Sequence, residues 1–199
     1  MTIWPPEFSV EGDVVKIETT HSRHAKDLAT AIAAGKLDQL WYTMIPAPEH
    51  IGNEIDRRLS LRAQGSMLPF TVISKATGKA VGMTTYMNID AANRRLEIGS
   101  TWYCPSVQRT GVNTECKLLL LTHAFEQLDC IAVEFRTHAM NVKSRRAIER
   151  LGAKFDGVLR AHMVMPNGTV RDTACYSILA NEWPTVKAHL NWQLALPRQ

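Results

Sequence analysis

The stretch VQRTGVNTECKLLLLTHAFE, from Val107 to Glu126, sets a short polar turn directly before a strongly apolar helical run. A turn that enters a helix in this way leaves backbone N–H groups exposed at the positive end of the helix dipole. That combination holds phosphate without requiring a basic side chain. Gly111 permits close approach of a ligand or a positive φ, Thr110 and Thr114 add hydroxyl donors, and Arg109 can pair with an anion. An ordinary helix cap has the same local appearance. The turn is not a P-loop, because GxxxxGKS and GxxxxGKT are both absent. It is not a dinucleotide fingerprint either, because no GxGxxG follows a first strand.

Other chemistries find less support. A Ser-His-Asp hydrolase needs an elbow such as GxSxG, which is absent. Cys104 and Cys116 have no evident base beside them to make either a covalent nucleophile. Cys104, Cys116, Cys130 and Cys175 form no CxxC and no zinc spacing, so they read as reduced, mostly buried thiols. His21 and His24 lie one helical turn apart with no third ligand nearby. They read as a solvated pair at a helix start, and no metal site is expected.

The elements that must position the turn follow from periodicity and breakers. Residues 14–20 read as a strand, 24–34 as a helix ended by Gly35, and 49–63 as a helix stopped at Gly65. Between the helices, LDQLWYTMIPAP (37–48) is aromatic and proline-containing, and reads as a loop. Residues 69–89 form two strands around Thr77-Gly78, and 95–104 a third. A helix over 113–128 places Leu118, Leu121, Phe125 and Leu128 on one face. A strand over 131–138, a helix over 142–151 ended by Gly152, two strands around Asn167-Gly168 and a short closing helix complete the chain. A mixed sheet with helices on both faces buries all of these apolar faces.

The 199 residues, 45% of them hydrophobic, suit one domain over 13–199, preceded by an arm over 1–12 in which Pro5 and Pro6 break any element. With 21% charged residues, long disorder is not expected. The formal charge of +4 favours an anionic ligand. The basic residues are scattered, without the aromatic-interleaved stripe of a nucleic-acid binder. No leader pattern and no apolar run of membrane-spanning length are present, so a cytoplasmic protein without membrane attachment is expected.

Four features carry a resemblance. LEIGSTWYCPSVQRTGVNTE (96–115) is similar to a fourth strand followed by a Q/R-x-x-G-x-G/A pyrophosphate loop, matched by Gln108, Gly111 and Asn113. IAVEFRTHAMNVKSRRAIERLGAKFDGVLR (131–160) carries Asn141, Ser144 and Leu151-Gly152 at matching places. RDTACYSILANEWPTV (171–186) and the Gly82 hairpin are the others. Together they resemble the GCN5-related N-acetyltransferases (GNAT), in the branch of the ribosomal-protein alanine N-acetyltransferases, over about residues 14–190. Asn113 departs from the family's Gly or Ala, although asparagine tolerates unusual backbone angles.

The resemblance implies an α/β (α+β) fold with a mixed, mostly antiparallel central sheet and helices on both faces. It implies acetyl-CoA as co-substrate. The pyrophosphate would lie on the turn formed by Gln108, Arg109, Thr110, Gly111, Val112, Asn113 and Thr114. The pantetheine arm would lie in a notch where the fourth and fifth strands splay, against backbone near Trp102 and beside Asn141. Transfer to an amine needs a proton acceptor, an oxyanion donor and a proton for the thiolate. By family position Glu97 is the first and Ser144 the last, with a strand-four backbone N–H between them. A solvated strand residue and a helix-surface serine are the alternative readings. Glu115, in the first helical turn, reads as a dipole partner or structural acceptor. Trp41 and Tyr42 either bracket the acceptor or pack their own loop, and Arg171 with Asp172 would order the last hairpin beside it, as a pair. The implied function is amine N-acetylation by direct attack on the thioester, with a protein N-terminus or a small amine as acceptor. The alternative is a catalytically silent acyl-CoA-binding or regulatory protein. A homodimer through the C-terminal strands or helix is compatible with either.

Overall fold

The computed structural model describes residues 3–196; positions 1–2 of the expected arm and 197–199 of the expected domain lie outside the described residues. The first half holds β1 (Ser9–Glu11), β2 (Val15–Thr19), α1 (Ala25–Gly35), α2 (Ile51–Ala63), β3 (Met67–Ser74), β4 (Ala80–Asp90) and β5 (Arg95–Tyr103). The second half holds α3 (Val112–Thr122), β6 (Ala132–His138), α4 (Val142–Arg150), β7 (Lys154–Val164), β8 (Val170–Leu179) and α5 (Trp183–Ala195). One sheet contains all the strands in the order β1-β2-β3-β4-β5-β6-β8-β7. Among the described residues only β5 and β6 run parallel; every other neighbouring pair is antiparallel. The α/β class and the mixed, mostly antiparallel sheet are therefore as the sequence leads one to expect.

Apolar alternation builds the two faces. β2 buries Val15 and Ile17, and β3 is buried on both sides because helices cover both. On one face α2 buries Ile51 and Ile55 and sends Arg58 to Thr85 of β4 at 2.7 Å. On the other, Tyr86 of β4 donates to the Leu120 carbonyl of α3, and Tyr176 of β8 meets Arg145 and Glu149 of α4. The hairpin turns at Gly78 and Gly168 take the left-handed φ that glycine favours, 67° and 81°. Among the described residues no helix is long and apolar enough to cross a membrane.

Several local expectations change. The arm is not irregular throughout: Ser9–Glu11 pairs with β2 as an edge strand. The cause is Glu115, whose carboxylate accepts the N–H groups of Asp13, Val14 and Val15 at 2.7–2.9 Å. Gly12 makes room for it, since a Cβ there would lie 2.4 Å from the carboxyl carbon. Glu115 is thus a structural acceptor tying this hairpin to α3. Gly35 remains helical, and the left-handed residue that ends α1 is Lys36, at φ 46°. The helix expected over 113–128 is α at Val112–Thr122 and widens to a π-turn over His123–Gln127. His24 is not solvated; it is buried, bound to Glu18 at 2.8 Å, and accepts the His21 N–H at 3.0 Å.

Candidate active site

The site begins where β5 and β6 part. Their parallel pairing covers Arg95–Ala132, Leu96–Val133 and Glu97–Glu134, and then stops. β6 continues to His138 against β8, and β5 continues to Tyr103 against β4. From Ile98 onward β5 therefore has a strand neighbour on one side only, which leaves a slot with unpaired backbone along its wall. Within that stretch the β4–β5 register shifts: Met83 faces Trp102 but Thr85 faces Gly99, so β5 carries one extra residue. Ser100 takes φ 47° at this bulge. The extra residue puts Trp102, buried, on the same sheet face as Glu97 and Gly99. Gly82 lets β4 approach, since a Cβ there would meet the Trp102 carbonyl at 2.2 Å.

Glu97 is not a solvated strand residue: it is 4% exposed. Asn88 donates to its Oε2 at 2.7 Å, and Arg136 lies 3.7 Å away. Burial pushes its carboxyl above the ordinary range, and Asn88 and Arg136 only partly offset this. Its Oε1 leans over Gly99, where any Cβ would lie 2.6 Å from it and 2.7 Å from the Met87 sulfur. The carboxyl thus lies over β5 at Gly99, just past the last residue paired with β6, and the missing side chain of Gly99 is what leaves room for it.

The turn before α3 is built differently from its sequence reading. The left-handed residue is Arg109, at φ 62°, whereas Gly111 has φ −66° as the helix N-cap. Both hydroxyl oxygens have partners within the protein. Thr110 donates to the Val107 carbonyl at 2.6 Å, and buried Thr114 accepts from Arg150 at 2.9 Å. Gln108 is also committed, donating to the Tyr103 carbonyl at 2.9 Å. The first helical N–H to reach a helix carbonyl is that of Glu115, on Gly111. Among the described residues no acceptor meets the N–H groups of Gly111, Asn113 or Thr114. What the turn offers an anion is therefore backbone N–H, with exposed Arg109 beside it. A groove of about 500 Å³ adjoins it, lined by Val107, Thr110, Gly111 and Val112 on one side and by Asp13, Ser74 and Lys75 on the other.

At the far end of the slot α4 begins. Asn141 caps it, with Oδ1 accepting the Ser144 N–H at 3.1 Å. The Ser144 hydroxyl is half-buried and has no partner among the described residues. On the sheet face of Glu97, the loop of Trp41 and Tyr42 reaches the β7–β8 hairpin. Asn167 donates to the Trp41 carbonyl at 3.4 Å, and the Trp41 ring stands edge-on to His138 at 5.2 Å. Arg171 and Asp172 do not pair, because adjacent strand residues point to opposite faces. Asp172 instead accepts the Ala161 N–H at 2.7 Å, and Arg171 donates to Thr173 at 2.9 Å.

Sequence reasoning missed Asn88, Arg136, His138 and Lys117. Asn88 and Arg136 matter only because of where β4 and β6 set them beside Glu97. Lys117 sits in the apolar run of α3, yet is fully buried, donating to Thr84 at 2.9 Å and Thr101 at 2.7 Å. The one available signal was His138, three residues before the matched Asn141. Among the described residues no group of His, Cys, Asp and Glu is placed to hold a metal ion.

Residues 15–154 match the family model described as an acetyltransferase (GNAT) domain. A Bacillus subtilis (strain 168) protein provisionally named as a ribosomal N-acetyltransferase, YdaF, is 35% identical over 106 residues, 53% of this chain. That match spans 57% of the relative's own length. The crystal structure of a GCN5-related N-acetyltransferase from Brucella melitensis is 34% identical, with a TM-score of 0.86, covering 96% of this chain and 87% of that one. A GNAT-family structure from Chromobacterium violaceum ATCC 12472 is 30% identical, with a TM-score of 0.78, covering 90% and 89%.

Proposed function

The chain belongs to the GNAT acetyltransferase family, and on that premise we propose that it moves the acetyl group of acetyl-CoA to an amine. The observation that carries the reading is the Glu97 carboxyl, buried, raised in pKa and leaning over Gly99 beside the slot between β5 and β6. A buried carboxylate near an open strand edge is suited to take a proton from an amine held there. The unpaired N–H groups of Gly111, Asn113 and Thr114 receive the pyrophosphate, with Gln108, Arg109, Thr110 and Val112 shaping the turn. The pantetheine arm runs along β5 near Trp102 and past Asn141.

In the reaction, the neutral amine attacks the thioester carbonyl. The new C–N bond forms, the oxyanion is held by a β5 backbone N–H, and Glu97 takes the amine proton directly or through one water. The C–S bond then breaks, and Ser144 supplies a proton to the departing thiolate. The provisional name of the Bacillus subtilis relative points to a ribosomal target, and the resemblance to the ribosomal-protein alanine N-acetyltransferases implies a protein N-terminus as acceptor. A small-molecule amine fits the same chemistry.

Calorimetry of acetyl-CoA with the wild type and G111V, followed by coenzyme A release over a panel of amines, tests the reading. Binding that weakens in a folded G111V, together with release that depends on the amine, is expected. Unchanged affinity in G111V removes the phosphate placement. Tight binding with no release for any amine replaces the enzyme with a silent acyl-CoA-binding protein.

A further inference from the structure

On the Glu97 face of the sheet, two donor side chains keep N–H groups that no acceptor meets among the described residues. The first is His138, the last residue of β6. Its Nδ1 accepts the Met140 N–H at 3.1 Å, which leaves the proton of the neutral ring on Nε2. That Nε2 is buried without a partner among the described residues, in a side chain 5% exposed. Burial and the Arg171 charge both hold the ring below its ordinary pKa, and so neutral.

The second donor is Arg171. Its Nε is fixed on Thr173, and Thr173 is the strand partner of His138. Among the described residues no carboxylate lies at ion-pair distance from its guanidinium, although the group is half-buried. The other arginines of this face, Arg95 and Arg136, both hold Glu134, at 2.5 and 2.7 Å. Among the described residues Arg171 is therefore the strand arginine of this face without a carboxylate partner, and Glu97 is the carboxylate whose charge reaches it. Trp41, 50% exposed, closes the side by His138.

A fixed guanidinium, a buried N–H without an acceptor and an indole wall are complementary to a carboxylate. An amine on the same molecule would then fall toward Glu97, whose charge is opposite. We propose that the acceptor carries a carboxylate beside its reactive amine, received by Arg171 and by His138 Nε2–H under Trp41. This rests on the acetyl-transfer reading for its amine and on these donors alone for its carboxylate. The carboxylate comes either from a free amino acid or from an acidic side chain near a peptide N-terminus, and the chemistry is the same.

Binding and turnover separate the two readings. N-acetyl-L-alanine and its amide are titrated into the coenzyme A-bound protein, followed by calorimetry and by the His138 ring signal in NMR. The acid is expected to bind about tenfold or more tightly than the amide and to shift the ring signal. That ratio collapses to about one in R171Q and is partly kept in R171K, with melting curves showing both variants folded. Coenzyme A release is then compared for free amino acids against their amides, and for Ser-Asp against Ser-Asn peptide amides. A preference in the first pair names a free amino acid, and one in the second names an acidic peptide. Equal binding and equal turnover within every pair overturn the carboxylate site while leaving acetyl transfer standing. Carboxylate binding that depends on Arg171, with no release for any amine, keeps the site and overturns the transfer reading.

Discussion

Lys117 gives the sharpest quantitative test of the interior beside the site. It is 4% exposed, its ammonium touches only the hydroxyls of Thr84 and Thr101, and no carboxylate pairs with it among the described residues. Burial lowers its pKa from 10.5 to about 8, with nearby Cys116 pulling slightly the other way. A fall of that size corresponds to roughly 3 kcal/mol of preference for the neutral amine in the folded state. Because the folded value lies below the unfolded one, the cost is fully present below pH 8 and disappears as pH rises to 10.5. K117M keeps the length and helix propensity of the side chain and removes the charge. Thr84 and Thr101 retain each other at 2.8 Å, so no hydroxyl is orphaned. The variant is expected to be at least as stable as the wild type at pH 7, and that difference should shift by about 3 kcal/mol in favour of the wild type between pH 8 and 10.5. Urea unfolding of both proteins across pH 7–10.5 under reducing conditions measures it. Tyr103 and Cys116, also buried and pushed up in pKa, are present in both proteins and largely cancel in the difference. A difference that stays flat across this range, or that moves against the wild type, refutes the buried-charge argument.

Glu97 and its surroundings supply the other expectations. E97Q should lose most activity between the raised pKa of Glu97 and that of the amine, and less above the latter, where solvent removes the proton; a loss independent of pH points to positioning instead. Because its folded pKa is raised, ionised Glu97 costs stability that is regained as pH falls, so E97Q should melt at or above the wild type at pH 7 and lose that advantage near pH 4. G99A places a Cβ 2.6 Å from Glu97 Oε1 and should displace the carboxyl from Asn88, lowering kcat by about 10–100-fold; wild-type turnover would show that the lean of the carboxyl is irrelevant. S144A should lower kcat by about 10–100-fold at unchanged acetyl-CoA affinity if the serine protonates the thiolate, and an unaltered rate makes it a surface residue.

The element order of this chain is written locally. Alternation every second residue marks β2 and β6, helical spacing marks α2 and α4, and the Thr77-Gly78 and Asn167-Gly168 turns join the hairpins the sequence reads there. The turn before α3 is equally visible, because its glycine and its apolar helix are contiguous. Its finer geometry is another matter: the Thr114 hydroxyl oxygen accepts from Arg150 of α4, and the left-handed residue is Arg109, neither of which a local pattern specifies. The same holds on the Glu97 face. Position on a strand says that Glu97 alternates with Leu96 and Ile98, but its burial, which raises its pKa, and the partners Asn88 and Arg136, which partly offset that rise, come from neighbouring strands. His138 reads as an ordinary strand residue, and Arg171 as one half of a pair with Asp172, until β6 and β8 pair and Trp41 crosses from the other end of the chain. Periodicity encodes which side of an element is apolar, because burial repeats with the backbone. It does not encode which distant polar group arrives opposite, and hydrogen bonding, desolvation and pairing of charge depend on that arrival alone.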